Sequence, residues 1–220
     1  MADNYLEKRM EDLRSGRSAR VSSGLSGVAN RKGMLAFRFP PRRVVVIGEN
    51  AELCPVVLKA FSSLDCRTAL VSGNENLCAE MRHGGVRVVY NAPAGGAGES
   101  DKESFRSGLS EALSGIFTAW RDIDIIVLIR QDRQNISFAA EIWRDLKSTL
   151  PCQSDYEGRM LLIGAENQDI QHDGNFIISR IELDRREGED DEKIMRDLAS
   201  ICKLICATSF KSAINIRILD

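Results

Sequence analysis

The sequence predicts an α/β domain of three layers, in which helices cover both faces of a mostly parallel sheet. Two patterns in its 220 residues predict this fold. From residue 43 onward, short apolar runs alternate with longer stretches of helical periodicity, the order expected for parallel strands joined by helices. The runs at 43–48 and 123–129 are apolar almost throughout, as strands buried on both faces are. A chain of this length can bury a sizeable core in one such domain.

The individual elements follow from hydrophobic periodicity and from the Gly, Pro and Asn residues between the periodic stretches. Strands are predicted near residues 43–48, 67–72, 86–90, 123–129, 159–164 and 214–219. Helices are predicted near residues 54–64, 74–83, 102–120, 137–150 and 189–208. A further apolar piece, 176–178, fits either a short strand or a packed loop. The Gly/Ala/Pro-rich loop 91–98 is expected to be mobile.

Residues 1–40 are predicted to form an N-terminal helix and a basic flexible arm, ahead of a folded domain at 41–220. Residues 1–15 have helical apolar spacing, whereas 15–33 is rich in Ser, Gly and Arg and lacks it. Residues 1–43 carry ten Lys or Arg against four Asp or Glu, a net charge of +6, which leaves −8 for the remainder. The segment is either a solvated tail or an arm that embraces an acidic surface, such as another copy of this domain.

Composition excludes several classes of partner. The chain is 43% hydrophobic and 28% charged, which is typical of a soluble globular protein, and its formal net charge is −2. That balance gives no reason to expect nucleic acid or an acidic membrane as a partner. No apolar run approaches the roughly 18 residues of a membrane span, and the N-terminus has no signal-peptide core. We therefore expect a cytoplasmic protein.

The six cysteines form no C-x-x-C pair and lie mostly in apolar stretches. Cys202 and Cys206 are four residues apart and could share a helix face, as half of a metal site would. Only His83 and His172 are available to complete such a site, and neither has a Cys or a second His beside it. Buried free thiols in a reducing compartment are the favoured interpretation, and no metal is expected.

Two groups of polar residues near the carboxyl half have a structural interpretation that outweighs a catalytic one. The acidic run 187–192 is typical of a loop leading into the first turn of a helix, where carboxylates are favourable. Asp169, His172 and Asp173 follow the fifth predicted strand, on the side where open α/β sheets bind ligands. A loop whose polar groups satisfy each other is favoured there over a ligand site.

The turn after the first strand has the outline of a dinucleotide-binding loop without the glycines of one. In that fingerprint, the second glycine lets the backbone approach the pyrophosphate, and the third lets the helix pack closely on the strand. Gly48 can serve as the first glycine, but the places four and six residues later hold Glu52 and Cys54. The loop is therefore degenerate with respect to nucleotide binding.

The physical consequence follows from how a pyrophosphate is held, by free backbone N–H groups and the positive end of the helix dipole. Glu52 would place a carboxylate beside that position, and the repulsion would cost on the order of 1–4 kcal/mol in partly solvated surroundings. Cys54 adds bulk where close approach is needed, and Pro55 removes one N–H from the first turn. We expect this helix end to satisfy itself, and we expect no cofactor.

Residues 43–220 resemble the short-chain dehydrogenase/reductase family, which has a Rossmann-like fold. The resemblance is carried by the following residues and stretches: Ile47-Gly48 opening the loop, Phe61 near the close of the helix, the strand 66–71 and the stretch 122–127 before the fourth strand. It implies a sheet order of 3-2-1-4-5-6. It would also imply an NAD(P)-dependent oxidoreductase if the functional motifs of the family were present.

Those motifs are where the chain departs from the family. The N-N-A-G that follows the fourth strand in the family is replaced by residues 128–131, and the catalytic Ser expected after the fifth strand is absent from 164–167. The family's Tyr-x-x-x-Lys pair supplies a general acid and the cation that lowers its pKa. Tyr5, Tyr90 and Tyr156 are followed four residues later by Arg, Ala and Met. The resemblance therefore gives no catalytic residues.

Two helices carry enough apolar residues to suggest a partner. Residues 189–208 hold more apolar side chains than one sheet-facing stripe requires, and 137–150 hold Phe138, Ile142 and Trp143. In the resembled family the corresponding helices pack across a two-fold axis into a four-helix dimer interface. We therefore expect a homo-oligomer, or a heteromer with a paralogue of that family, through these helices.

The sequence leads to one favoured function and two alternatives. The favoured function is that of a non-catalytic relative of the short-chain dehydrogenases, acting through oligomerisation or as the partner of an active paralogue. The first alternative is an NAD(P)-dependent oxidoreductase with a divergent cofactor loop and other catalytic groups. The second is the binding of some different small molecule at the strand ends.

Overall fold

The computed structural model describes residues 41–86, 88–91, 99–150, 158–164, 177–183, 191–207 and 215–218. In chain order the elements are β1 (Arg43–Ile47), α1 (Leu53–Ser62), β2 (Arg67–Ser72), α2 (Glu75–His83), β3 (Val88–Asn91), α3 (Glu99–Trp120), β4 (Ile125–Ile129), α4 (Arg133–Ser148), β5 (Arg159–Ile163), β6 (Ile177–Leu183), α5 (Asp191–Ala207) and β7 (Asn215–Ile218). The predicted elements are confirmed, with ends that differ by a few residues. The predicted N-terminal helix and arm, the loop 92–98 and the polar residues at 169–173 lie outside the described residues.

The strands form one sheet in the order β3-β2-β1-β4-β5-β6-β7, and all six pairings are parallel. The predicted order of the first five strands is confirmed. The ambiguous apolar piece belongs to a strand, β6, which pairs with β5 on one side and β7 on the other. The predicted last strand is therefore the seventh strand and not the sixth.

Two cores lie on the two faces of the sheet, because successive residues of a strand point to opposite faces. Val44 and Val46 of β1 pack into the core that includes α1, α2 and α5. Val45 and Ile47 pack into the other core, which includes α3 and α4. All four valine and isoleucine side chains are buried, so β1 is the centre of the domain.

The sheet separates the two helices that were expected to form one interface. Helix α5 packs against α1, and Ile194 and Leu198 are 5% and 0% exposed. Helix α4 packs against α3 on the opposite face, where Trp143 is fully buried. Part of the apolar surface that was expected to face a partner, at Ile194 and Leu198, is instead buried against the sheet and α1. The two helices present separate surfaces to any partner.

A charged network ties the amino end of β1 to that of β4. Arg43 donates to Asp124 through Nε, at 2.9 Å, and to Asp122 through Nη2, also at 2.9 Å. Lys147 of α4 lies 2.6 Å from the other oxygen of Asp122. Burial of Asp124 opposes its ionisation, but the hydrogen bonds and charge of Arg43 outweigh that effect and lower the pKa of Asp124. The network fastens the end of the sheet that lies away from the strand carboxyl termini.

The cysteines in the described part of the chain confirm the prediction of buried free thiols. Cys54, Cys66, Cys78 and Cys202 are buried, and they form no disulfide with one another. Burial raises the pKa of Cys202 to about 12, so its thiol stays protonated at neutral pH. Within the same described ranges, no helix has the length and apolar character needed to cross a membrane.

Candidate functional site

A cleft of about 340 Å³ lies where β1 and β4 end, side by side. The chain leaves β1 toward β2 on one side, and returns to β4 on the other, so the strand order reverses at this point. In open α/β sheets, ligands bind in the crevice at such a reversal, beyond the carboxyl ends of the strands. The cleft is lined by Glu49, Asn50, Ile129, Arg130, Gln131, Asp132 and Asn135. We refer to it as the switch-point cleft.

Gly48 closes β1 and allows it to approach β4. A Cβ at this position would lie 3.0 Å from Cβ of Ile129 and 3.1 Å from its carbonyl oxygen. The Sγ of Cys54 is the next nearest atom, at 3.5 Å. Gly48 is therefore required for packing between the two central strands, whatever the turn binds.

Asn50 satisfies the amino end of α1. Its side-chain Oδ1 accepts hydrogen bonds from the backbone N–H groups of Glu52, at 3.1 Å, and Leu53, at 2.7 Å. Its backbone carbonyl accepts the N–H of Cys54 at 3.1 Å. The next residue, Pro55, has no N–H. A single asparagine thus accepts the backbone N–H groups that have no acceptor within the first turn of α1.

Cys54 occupies the position where the third glycine of a nucleotide-binding loop would lie. Its side chain is fully buried beneath the turn, and burial raises the pKa of its thiol to about 12. The thiol is protonated at neutral pH and cannot act as a nucleophile there. Glu52 is exposed at the mouth of the turn. Both residues therefore lie where the sequence predicts. The thiol of Cys54 packs beneath the turn, and the carboxylate of Glu52 lies beside the helix end.

The end of β2 carries no carboxylate toward the cleft. In dinucleotide-binding folds an acidic residue in this region holds the ribose hydroxyls. Here β2 ends in buried Ser72, whose Oγ accepts the N–H of Asn74 at 3.1 Å. Asn74 caps α2 by accepting the N–H of Leu77, also at 3.1 Å, and its amide donates to the carbonyl of Glu49 at 3.3 Å. The end of β2 is thus bound to the turn after β1.

The segment after β4 supplies the opposite wall of the cleft. Arg130 has a backbone φ of +50°, which is uncommon for a residue with a side chain. Asp132 caps α4 by accepting the N–H of Asn135 at 2.8 Å, and Asn135 donates its amide to Gln131 at 3.0 Å. The amide of Gln131 in turn donates to the carbonyl of Ile129 at 3.2 Å. This chain of hydrogen bonds holds the wall rigidly against α4.

Gly164 ends β5 next to Arg130. Its φ is +64°, and a Cβ there would lie 3.3 Å from Cγ of Arg130. The backbone N–H of Arg130 donates to the carbonyl of Ile163 at 2.9 Å, which joins the ends of β4 and β5. The arginine stem therefore lies over a glycine whose positive φ disfavours a side chain.

Tyr90 is the one tyrosine in the described ranges, and it belongs to a second, larger cleft. This cleft, of about 720 Å³, lies between β3 and α3 and includes Tyr90, Glu103 and Glu111. The phenol lies over Gly115, where an added Cβ would be 2.5 Å from its oxygen. No group of three or more potential metal ligands occurs in the part of the chain that the structure describes.

Sequence reasoning identified Gly48, Glu52 and Cys54 but missed Asn50, Asn74 and Arg130. A signal for the two asparagines was present, because each stands three residues before a leucine at the start of a helical stretch, the spacing of a side-chain cap. Arg130 carried no comparable signal. Its placement depends on the turn at the end of β4, which local sequence does not specify.

Comparison with known proteins identifies the fold. No protein-family model matches the chain, and no curated protein matches its sequence. Among solved structures, an NAD+-bound xylitol dehydrogenase matches with 10% identity and a TM-score of 0.55, covering 83% of this chain and 99% of that one. A glucose/ribitol dehydrogenase of the short-chain type from Brucella melitensis matches with 10% identity and a TM-score of 0.56, over 83% and 98%. A hydroxysteroid dehydrogenase from Escherichia coli matches with 10% identity and a TM-score of 0.57, over 82% and 96%. The chain thus has a Rossmann-like fold like that of the short-chain dehydrogenases.

Proposed function

We propose that this protein is a non-catalytic relative, in fold, of the short-chain dehydrogenases, and that it works by association with another protein instead of by turnover. The partner is a second copy of the chain or an active paralogue with the same fold. The observation that carries the proposal is the capture of the amino end of α1 by Asn50, which accepts the N–H groups of Glu52 and Leu53.

The capping geometry argues against nucleotide binding because the same N–H groups would have to hold a pyrophosphate. A dinucleotide would have to displace the Oδ1 of Asn50 from two donors, and breaking such a cap typically costs 0.5–2 kcal/mol. The exposed carboxylate of Glu52 would then lie near the phosphates and repel them. In addition, β2 ends in Ser72, so no acidic residue there is placed to hold the ribose hydroxyls of a dinucleotide. These features support the proposal that no NAD(H) or NADP(H) is bound.

The described ends of the strands also offer no tyrosine with an activating lysine. Tyr90 lies in strand β3 over Gly115, and Ala94 stands four residues later, where a Tyr-x-x-x-Lys pair would have its lysine. The thiol of Cys54, which lies closest to the turn, is protonated and buried. We infer that the protein reduces no ketone and oxidises no alcohol with either cofactor.

The association half of the proposal is supported by the outer face of α5. Leu204 is 51% exposed, and it is the one large apolar side chain so exposed among the described residues. Ile201, three residues earlier on the same helix face, is half-buried. The opposite charges of residues 1–43 and of the remainder further favour pairing between copies.

Calorimetric titration tests the cofactor half of the proposal. The wild-type protein is titrated with NAD+, NADH, NADP+ and NADPH, and no binding heat is expected up to millimolar nucleotide. Micromolar affinity for any of the four would contradict the proposal. The double variant Asn50→Gly with Glu52→Gly frees the donors and removes the carboxylate, so weak nucleotide affinity should appear. Asn74→Gly, which removes a cap from α2 instead, is the matched control.

Light scattering tests the association half. A dimer or larger oligomer is expected at tens of micromolar, and Leu204→Lys should shift it toward the monomer. Thr118→Lys, at an exposed position of α3, adds the same charge elsewhere and should leave the mass unchanged. A monomeric wild type would contradict association between copies of this chain. Co-purification with a paralogue would then test whether the protein forms a heteromer.

The alternative function, an NAD(P)-dependent oxidoreductase with a divergent loop, is favoured by the fold alone. One of the matching structures is of an NAD+-bound dehydrogenase, and the match spans 99% of that chain. Steady turnover that survives purification, and is lost on mutation of a residue in this chain, would establish this alternative over the non-catalytic one.

A further inference from the structure

We propose that the switch-point cleft binds a small zwitterion of the amino-acid class, through the guanidinium of Arg130 and the carboxylates of Glu49 and Asp132. The inference concerns a ligand site and goes beyond the proposed function, which requires no ligand. It rests on three features of the cleft. The guanidinium of Arg130 and the Nδ2 group of Asn50 have no partner among the described residues, and two carboxylates line the same cleft without forming an ion pair with Arg130.

The guanidinium of Arg130 is the uncommitted cation. Its side chain lines the cleft and is exposed, and within the described residues it makes no hydrogen bond or ion pair. Its stem is held over Gly164, so that the group is positioned although it has no partner. A guanidinium presents a planar set of donors that matches a carboxylate. The wall therefore offers a ligand the donors that the protein itself does not use.

Asn50 provides the second donor. Its Oδ1 accepts two backbone N–H groups, which fixes the amide so that the oxygen faces the helix. The Nδ2 group then has no acceptor among the described residues, although Asn50 lines the cleft. The same side chain that closes the helix end to phosphate thus presents an N–H donor to the cleft.

The carboxylates determine the class of ligand. Glu49 and Asp132 line the cleft together with Arg130, yet neither forms an ion pair with it in the described structure. A ligand with one negative charge alone, and above all a phosphate, would gain from Arg130 and be repelled by two carboxylates. A ligand with a carboxylate and an ammonium group satisfies both the guanidinium and the two carboxylates. A volume of about 340 Å³ lies at the small end of the range for ligand sites, about 300–1,000 Å³.

Titration followed by NMR tests the proposal on the full-length protein. The side-chain N–H signals of Arg130 and Asn50 are followed while each standard amino acid is added in turn at millimolar concentration. Acetate, methylammonium and inorganic phosphate are added in parallel at matched ionic strength. At least one amino acid should shift both signals saturably, and with an affinity at least tenfold higher than that of any of the three single-charge probes.

Arg130→Gly removes the cation while keeping a residue that favours φ of +50°, so the fold should be retained. Its matched control is Arg121→Gly, because Arg121 is also exposed and has φ of +63° but lies outside the cleft. In the first variant the amino-acid affinity should fall at least tenfold, measured on the Asn50 signal, and in the second it should be unchanged. Circular dichroism establishes that both variants are folded.

Three results would overturn the proposal. The first is that none of the standard amino acids shifts the two signals saturably. The second is that phosphate or acetate binds as tightly as the best amino acid, which would make the cleft a simple anion site. The third is that Arg130→Gly binds the amino acid as the wild type does. None of these results bears on nucleotide binding or on association, so the proposed function stands or falls separately.

Discussion

The backbone N–H of Leu53 donates a hydrogen bond of 2.7 Å to the side-chain Oδ1 of Asn50, three residues earlier. This bond lies at the amino end of α1, where dinucleotide-binding folds hold a pyrophosphate on free N–H groups. The protein thus supplies from its own chain the acceptor that a cofactor would otherwise provide. One asparagine therefore closes the turn and also lines the switch-point cleft.

Asn50→Ala is expected to destabilise the domain by about 1 kcal/mol, since it leaves two N–H groups of the first turn without their acceptor. Asn50→Asp keeps the acceptor and adds a negative charge at the positive end of the helix dipole, so it should be as stable as the wild type. Urea denaturation followed by circular dichroism measures both. Equal loss in the two variants would show that the cap contributes nothing to stability.

Gly158→Ala should destabilise the protein by roughly 2–4 kcal/mol, because of combined overpacking and backbone strain. The residue has φ of +138°, and a Cβ there would collide with Cζ2 and Cη2 of the fully buried Trp143. Gly85→Ala is the matched control, since Gly85 has φ of +88° and no atom near its missing Cβ. The difference between the free energies of unfolding of the two variants gives the cost of the collision with Trp143. If the two variants lose equal stability, the tryptophan does not depend on this glycine.

The pair Arg43 and Asp124 should make stability depend on acid pH. The pKa of Asp124 is lowered in the folded protein by Arg43, relative to about 3.9 in an unfolded chain. A group with a depressed folded pKa contributes stability above its unfolded value and loses it as the pH falls through its folded value. The contribution is therefore complete at neutral pH and lost below about pH 4.

Arg43→Met should cost about 1–3 kcal/mol at neutral pH, because it leaves a largely buried carboxylate without its cation. It should also flatten the fall in stability between neutral pH and about pH 3. Arg67→Met is the control, at an exposed position of the neighbouring strand that pairs with Arg43 through the backbone. Denaturation midpoints across pH measure both effects. An unchanged pH profile in Arg43→Met would contradict the account.

Leu198→Asp and Leu204→Asp should separate packing from association on the same helix. Leu198 is fully buried against the sheet and α1, so a carboxylate there should unfold the domain. Leu204 is half exposed, so its variant should keep the helical circular dichroism of the wild type and change only the mass measured by light scattering. A folded Leu198→Asp that dissociates would instead place the interface on the inner face of α5.

The sequence specified most of the fold because its elements have strong local patterns. The all-apolar runs of β1 and β4 and the apolar periodicity of α1 are local properties, and these elements lie close to where they were predicted. The strand β6 was ambiguous because its continuous apolar run is short, and polar, half-buried Arg180 and Glu182 alternate with apolar residues after it. A strand near the edge of a sheet carries a weaker pattern than a central one, so its identity depends on pairing with β5 and β7.

The candidate site divides in the same way between local and tertiary determinants. Glu52, Cys54 and Pro55 show from the sequence alone that the turn after β1 departs from the glycine fingerprint. This could be predicted because the fingerprint consists of residues close together along the chain. The partner of the helix end, Asn50, could have been predicted from its spacing to Leu53. Which face α5 presents could not, since an apolar helix looks the same whether its second face meets α1 or another molecule.

What the sequence determined by itself is the α/β class, the positions of the central strands along the chain and the self-satisfied end of α1, since each is written in residues adjacent along the chain. What only the tertiary structure decided is the position of side chains brought together from distant segments. Arg130 lies over Gly164 and across the cleft from Glu49, three residues that follow three different strands. Their meeting is set by the order in which parallel strands pair, because the carboxyl ends of neighbouring strands converge at one edge of the sheet.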